Sequence, residues 1–161
     1  MEFNVDSAEA LNISDQEISA LLTEIYVTDG FTEPEEAVSI FEPSAVRKRG
    51  FLMGARDINH STLAGMVIVV PPNSPACRLA QDDEAEMQLL GVKQEFRGFG
   101  LGKNLVSAAL NHANESGYSK LILWTQETMH AAQKLYESKG FTHTKDISRN
   151  GRKFLVYEIA L

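Results

Sequence analysis

Apolar residues recur along this chain in two rhythms, one suited to helices and one to strands. Ile18, Leu21, Leu22, Ile25 and Tyr26 fall at spacings of three and four, on one face of a helix. Just ahead of them, Ser14 and Glu17 have the spacing of a capping box, in which hydroxyl and carboxylate each take the other's free N–H; Gly30 ends the pattern. A shorter helix is expected from about Pro34 to Phe41, with proline and three glutamates near its start. Leu101, Leu105, Val106, Ala109, Leu110 and Ala113 repeat the helical stripe until Gly117. Met129 to Lys139 gives a further helix, closed by Gly140. The strand rhythm occupies Phe51–Arg56 and Leu63–Val70, around the turn Asp57–His60, then Glu84–Val92 and Leu121–Trp124. Phe141–Lys145 and Lys153–Leu161, turned at Ser148–Gly151, finish the chain, and a short strand is expected within Glu2–Leu11. Pro71 to Asp83 reads as a loop.

Strands dominate early and a β-α-β-α-β run follows, which predicts an α/β (α+β) domain whose mixed sheet carries helices on both faces. Residues 1–161 show no repeat, linker or low-complexity tract, so one domain is expected. A hydrophobic content of 43% with 23% charged residues is that of a soluble globular protein. The net charge of −7 argues against general nucleic-acid binding, which needs a basic face. It fits a cationic substrate, or charge kept for solubility. Met66–Val70, the longest apolar run, is far too short for a bilayer, and no signal-peptide pattern opens the chain. The single cysteine, Cys77, excludes an internal disulfide and suits a reducing cytoplasm; among Pro71, Pro72 and Pro75 it reads as a bystander thiol. His60, His112, His130 and His143 lack ligand spacing, so no metal site is expected.

The chemistry concentrates in Arg97-Gly98-Phe99-Gly100-Leu101-Gly102, between a strand and an amphipathic helix. Bare backbone N–H groups ahead of a helix N-terminus, which carries roughly half a positive charge, make an anion cradle, most often for phosphate. A Walker loop needs glycine, four residues, then Gly-Lys-Ser/Thr; here Arg97 stands at the first position and Asn104 at the last. The dinucleotide spacing G-x-G-x-x-G fails in both registers, since Lys103 or Leu105 falls where the third glycine belongs. The pattern that fits is R/Q-x-x-G-x-G/A, met by Arg97, Gly100 and Gly102.

This loop resembles the acetyl-coenzyme A loop of the GNAT superfamily of N-acyltransferases. Glu84–Val92 looks like that family's central strand and Leu121–Thr125 like its next strand. Ala131 to Phe141 is similar to its closing motif, with Tyr136, Gly140 and Phe141 in step. Residues 84–145 carry the specific resemblance. It implies a GNAT-like mixed, mostly antiparallel sheet of about seven strands, and acetyl transfer from acetyl-CoA to a primary amine of a small molecule or peptide. It requires no metal and allows a homodimer. The alternative is a non-catalytic acyl-CoA-binding regulatory domain of the same fold.

The resemblance also distributes roles. Backbone N–H groups of Arg97, Gly98, Phe99, Gly100, Leu101 and Gly102 would hold the coenzyme's pyrophosphate, with Arg97 and Lys103 as cationic support. Leu90, Gly91 and Val92 would pair with the pantetheine arm as a sheet edge pairs with a peptide, and an N–H there would face the thioester oxygen. Glu86 matches the carboxylate that serves some members as general base; Glu84 shares its strand face and is the runner-up. Tyr136 matches the tyrosine that protonates the leaving thiolate. Met129 departs from the family, many of whose members have asparagine there. The acceptor pocket is expected around Tyr26, Phe31 and the Pro71–Asp83 loop.

Overall fold

The computed structural model describes residues 2–28, 32 and 41–161. In chain order the elements are β1 (Phe3–Ser7), α1 (Asp15–Leu22), β2 (Phe51–Asp57), β3 (Leu63–Val70), β4 (Glu84–Val92), β5 (Lys120–Gln126), β6 (Thr142–Arg149) and β7 (Arg152–Ala160), with α2 (Pro43–Lys48) ahead of β2, α3 (Leu101–Glu115) ahead of β5 and α4 (His130–Ser138) ahead of β6. A π-helical turn, Thr23–Thr28, prolongs α1. The strands form one sheet in the order β1-β2-β3-β4-β5-β7-β6. Only β4 and β5 run parallel; every other neighbouring pair is antiparallel. The pattern predicts a mixed sheet, and the family resemblance implies that it is mostly antiparallel; both hold.

Both faces are covered. Leu101, Leu105, Val106, Ala109 and Ala113 of α3 bury against Val67, Val69, Ala85, Met87, Leu121 and Leu123. On the opposite face Ile18, Leu21 and Leu22 of α1 and Val46 of α2 pack on Leu52, Met66, Ile68 and Val70. All eight residues of β3 are therefore buried, which is why Leu63–Val70 reads as a continuous apolar run. Each fully buried leucine or isoleucine contributes about 1.5–3 kcal/mol.

The capping box forms as expected: Ser14 N–H donates to Glu17 Oε1 at 2.9 Å and Glu17 N–H to Ser14 Oγ at 3.1 Å. The helix expected over Pro34–Phe41 and the stop at Gly30 lie outside the described residues, save Phe41, whose ring packs on Tyr26 with centroids 5.3 Å apart. Helix α2 has no counterpart in the apolar pattern, because six residues with one buried side chain make no stripe; Glu42 caps it by accepting from Ser44 and Ala45 N–H. Strand β6 runs four residues past the expected end at Lys145. The cause is the turn: Asn150 and Gly151 both have positive φ (53° and 75°), a two-residue hairpin that carries the ladder down to Arg149 opposite Arg152.

Strands β4 and β5 share a ladder only from Glu84↔Lys120 to Glu86↔Ile122. Beyond that, β4 continues along β3 to Val92 while β5 continues along β7 to Gln126. The register of β4 against β3 also shifts between Ile68↔Gln88 and Met66↔Gly91, and Leu89 there has φ +54°. A bulge of this kind bends its strand. The sheet consequently opens between its two parallel strands.

Candidate active site

The opening is a cleft of about 1390 Å³. One wall is β4 from Met87 to Val92; the other is Trp124–Gln126 of β5 with α4 residues from His130 to Tyr136. Ile25 and Tyr26 reach it from the π-helical turn, a widening that brings both onto the β4 bulge. A Cβ on Gly91 would meet Ile25 Cδ1 at 2.2 Å, so glycine there lets the turn lie against the strand. Tyr26 Oη donates to Leu90 O at 3.4 Å.

At one end of the cleft stands the glycine loop. Gly98 (φ +88°) and Gly100 (φ +78°) are left-handed, and open space surrounds both where a Cβ would sit. Glycine is therefore required by backbone conformation rather than by crowding. Gly100 is the N-cap of α3 and supplies no side-chain acceptor, so the helix starts with N–H groups aimed outward. Arg97 Nε donates to Val92 O at 3.0 Å, folding the loop back on the strand end. Of the residues assigned to the coenzyme, Leu90, Gly91, Val92, Arg97 and Gly102 line the cleft. Gly98, Phe99, Gly100 and Lys103 are exposed beside it, whereas the side chain of Leu101 is core.

Tyr136 lines the cleft from α4 and is 7% exposed. Its ring packs edge-on against Phe141, with centroids 5.9 Å apart, and near Tyr157. Burial raises its phenol pKa above the ordinary value, and the Tyr26 phenol raises it further. Tyr26 is itself pushed up to about 12 by burial, against the pull of the Arg49 guanidinium. Both hydroxyls therefore keep their protons throughout the neutral range. Met129 and His130 also line the cleft, and Met129 Sδ accepts from Thr125 Oγ1 at 3.4 Å.

Glu86 is placed differently from what a general base requires. Its side chain is fully buried and is not among the groups lining the cleft. Oε1 accepts the backbone N–H groups of Arg78 (2.7 Å), Leu79 and Ala80 (2.9 Å), and the Cys77 thiol at 3.4 Å. Oε2 accepts from Gln88 Nε2 at 2.9 Å. A base must reach the proton it removes, and this carboxylate is spent on its own loop. Glu84 is likewise engaged, with Gln81 N–H at 2.9 Å and Lys120 Nζ at 3.6 Å. Burial, the Glu86 charge and its hydrogen bond together raise the Cys77 thiol pKa, the opposite of an activated nucleophile.

Of the expected acceptor-pocket residues, Tyr26 and the loop residues Ser74–Ala76 and Arg78 line the cleft; Phe31 lies outside the described residues. Sequence reasoning missed Arg49, Gln88, Arg149 and Arg152, which also line it. Gln88 had a signal, being two residues from Glu86 and so on the same strand face. Among the described residues no group of three or more His, Cys, Asp or Glu side chains could hold a metal, and no helix is long and apolar enough to cross a membrane.

A sheet that parts between its parallel strands, over a glycine loop and an uncapped helix, is the architecture of the acetyltransferase class. The chain belongs to the GNAT acetyltransferase family, whose model matches residues 16–141. An uncharacterized N-acetyltransferase of Schizosaccharomyces pombe is 36% identical over 108 residues, 67% of this chain and 61% of that protein. A mycothiol acetyltransferase of Kocuria rhizophila is 31% identical over 117 residues, covering 71% of this chain and 35% of that protein. The chain thus spans less than two thirds of the length of these curated relatives. A Bacillus subtilis acetyltransferase solved in complex with CoA shares the fold, with a TM-score of 0.70, 19% identity and 99% of each chain covered.

Proposed function

We propose that this chain transfers the acetyl group of acetyl-CoA to a primary amine of a small molecule or peptide, in the cytoplasm. The observation that carries this reading is the parted sheet: β4 from Met87 to Val92 has no β5 partner and borders a cleft that ends at the uncapped start of α3. Backbone N–H groups of the Arg97–Gly102 loop would hold the pyrophosphate, with Arg97 and Lys103 adding charge at the rim. Leu90, Gly91 and Val92 would pair with the pantetheine arm, and an N–H beside the bulge would donate to the carbonyl oxygen as it gains charge.

The coenzyme supplies the acyl group as a thioester. The amine lone pair forms the new C–N bond, the C–S bond breaks, and the departing sulfur takes its proton from Tyr136 Oη. The amine loses its surplus proton to water in the cleft, since both candidate carboxylates are occupied elsewhere, and water returns a proton to the Tyr136 phenolate. Glu86 is a positioning residue in this reading, holding the Cys77–Ala80 segment beside the acceptor.

Thermal shifts with acetyl-CoA, CoA, ATP and NAD test the first half: ligand at a hundredfold above Kd should stabilise by about 2.7 kcal/mol. Stabilisation by ATP or NAD but not by CoA overturns the reading. Thiol release over an amine panel tests the second half, and binding without turnover of any amine favours a regulatory domain.

A further inference from the structure

The loop of residues 71–83 joins β3 to β4 and lines the cleft with Ser74, Pro75, Ala76 and Arg78. Connections of this length are where active-site lids are built. This one is tied down along its course. Where it leaves β3, a Cβ on Gly50 would collide with Val69 O and sit 3.0 Å from Pro71 Cδ. Glycine just past α2 thus lets the two segments touch. Midway, Glu86 Oε1 accepts the N–H groups of Arg78, Leu79 and Ala80. Where the loop enters β4, Ser119 N–H donates to Asp83 O at 2.8 Å and Ser119 Oγ to Asp83 Oδ2 at 2.9 Å.

Gln88 joins these ties to α2. It lies two residues beyond Glu86 on the same face of β4, and its side chain is 7% exposed yet borders the cleft. Nε2 donates to Ala76 O at 3.0 Å and to Glu86 Oε2 at 2.9 Å. A carbonyl and a carboxylate both call for a donor, so the amide nitrogen must face them. Oε1 is thereby turned to Arg49, the C-cap of α2, whose Nη1 donates to it at 3.0 Å. One neutral amide in a fixed orientation therefore bonds to α2, to the loop and to its own strand. Glu86 holds only the Cys77–Ala80 part of the loop; the link to α2 runs through Gln88.

Resting on the acetyl-transfer reading, we propose that Gln88 is a positioning residue for the acceptor, holding Arg49 and the 71–83 loop against β4 as one fixed wall. The acceptor amine then enters a preformed site rather than one that closes over it. The cost of ordering that wall is met on folding and not on binding, which favours acceptor affinity.

The test compares the full chain with Gln88→Met, close in length and unable to make these hydrogen bonds, and with Gln88→Glu. The latter keeps an acceptor for Arg49 but sets a carboxylate against Ala76 O and Glu86. In steady-state thiol release with the amine that the wild type uses best, both should raise the acceptor KM by about 10-fold, the equivalent of one or two hydrogen bonds. The kcat should stay within a few fold, and acetyl-CoA affinity by calorimetry should not change. Hydrogen exchange over residues 74–80 gives a reading independent of turnover. It should be slow in the wild type, unaltered by acetyl-CoA, and faster in both variants. Protection gained only when acetyl-CoA binds would make the loop a lid and overturn the fixed wall. An unchanged acceptor KM, equal weakening of acceptor and acetyl-CoA, or loss of the folded state in both variants would assign Gln88 to general structure and overturn its positioning role. With wild-type turnover in hand, each of those outcomes leaves the acetyl-transfer reading standing. Turnover of no amine by the wild type overturns that reading and the role of Gln88 together.

Discussion

Glu86 accepts the backbone N–H of Arg78 at 2.7 Å, so a buried strand carboxylate holds a loop that lines the cleft. Glu86→Gln keeps one oxygen but turns an amide N–H₂ toward Gln88 Nε2, also a donor. We expect a loss of about 1–3 kcal/mol in stability, the cost of a broken buried charged hydrogen bond. The KM for the acceptor should rise while kcat at saturation stays within a few fold. Denaturant unfolding and initial rates check this. A drop in kcat of about 10²-fold or more, with KM and stability unchanged, would make Glu86 the base after all.

Tyr136→Phe removes one hydroxyl and leaves the ring contacts with Phe141 and Tyr157 in place. Stability should hold while kcat falls about 10²-fold, the low end for a lost general acid. Unchanged turnover would remove Tyr136 from the reaction. Because burial raises the phenol pKa, its protonated form persists above pH 10, and the wild-type rate should show no alkaline loss below that pH. The rise of kcat/KM with pH should instead follow the acceptor amine, its midpoint moving when an amine of lower pKa is used. A midpoint fixed across amines would place the proton acceptor on the protein.

Local signals were the legible ones. Ser14 with Glu17 and the helical stripe of α3 behind Gly100 are each written within a few residues, and each formed as read. Strand parity correctly put Glu84 and Glu86 on one face, but parity does not say what folds over that face. Here the Cys77–Ala80 segment does, and it takes up the carboxylate expected to be a base. The rest of the cleft lining was illegible for a similar reason: Arg49, Arg78 and Arg152 lie on three segments that meet only in the folded chain.

Gly65 faces the bulge: a Cβ there would sit 2.8 Å from Gly91 O and 2.9 Å from Leu105 Cδ1. The carbonyl is backbone and cannot rotate away, so Gly65→Ala must push β4 from β3. We expect a loss of about 1–3 kcal/mol, typical of overpacking. Weaker acetyl-CoA binding should accompany it, since Leu90–Val92 would be displaced. Gly100→Ala makes the contrast, with open space but φ +78°. Its cost should be about 1–2 kcal/mol of backbone strain. Calorimetry of unfolding and of acetyl-CoA binding reads both variants; an unperturbed Gly65→Ala would mean that the bulge tolerates a wider strand spacing.

The Glu17 carboxylate also meets Arg56 at 2.6 Å, with side chains only 29% and 17% exposed. Arg56 further donates to Leu11 O at 2.9 Å and Ser61 O at 2.6 Å, joining the start of α1 to the β2–β3 turn. The Arg56 hydrogen bond holds the Glu17 pKa at about 2, below the 4.5 of an unperturbed glutamate. A carboxylate depressed on folding adds stability that is fully present above its unfolded pKa and is lost as pH falls through the folded value. The window is therefore pH 4.5 down to about 2. Glu17→Gln keeps the capping geometry, since glutamine serves at that position, and removes only the charge. At pH 7 the variant should be less stable by about 1–3 kcal/mol. The gap from the wild type should narrow at pH 3, where the unfolded chain has taken up the Glu17 proton and the folded chain has not. Denaturant unfolding at both pH values decides it: a gap that stays constant would mean that the charge on Glu17 contributes nothing to holding α1 on the sheet.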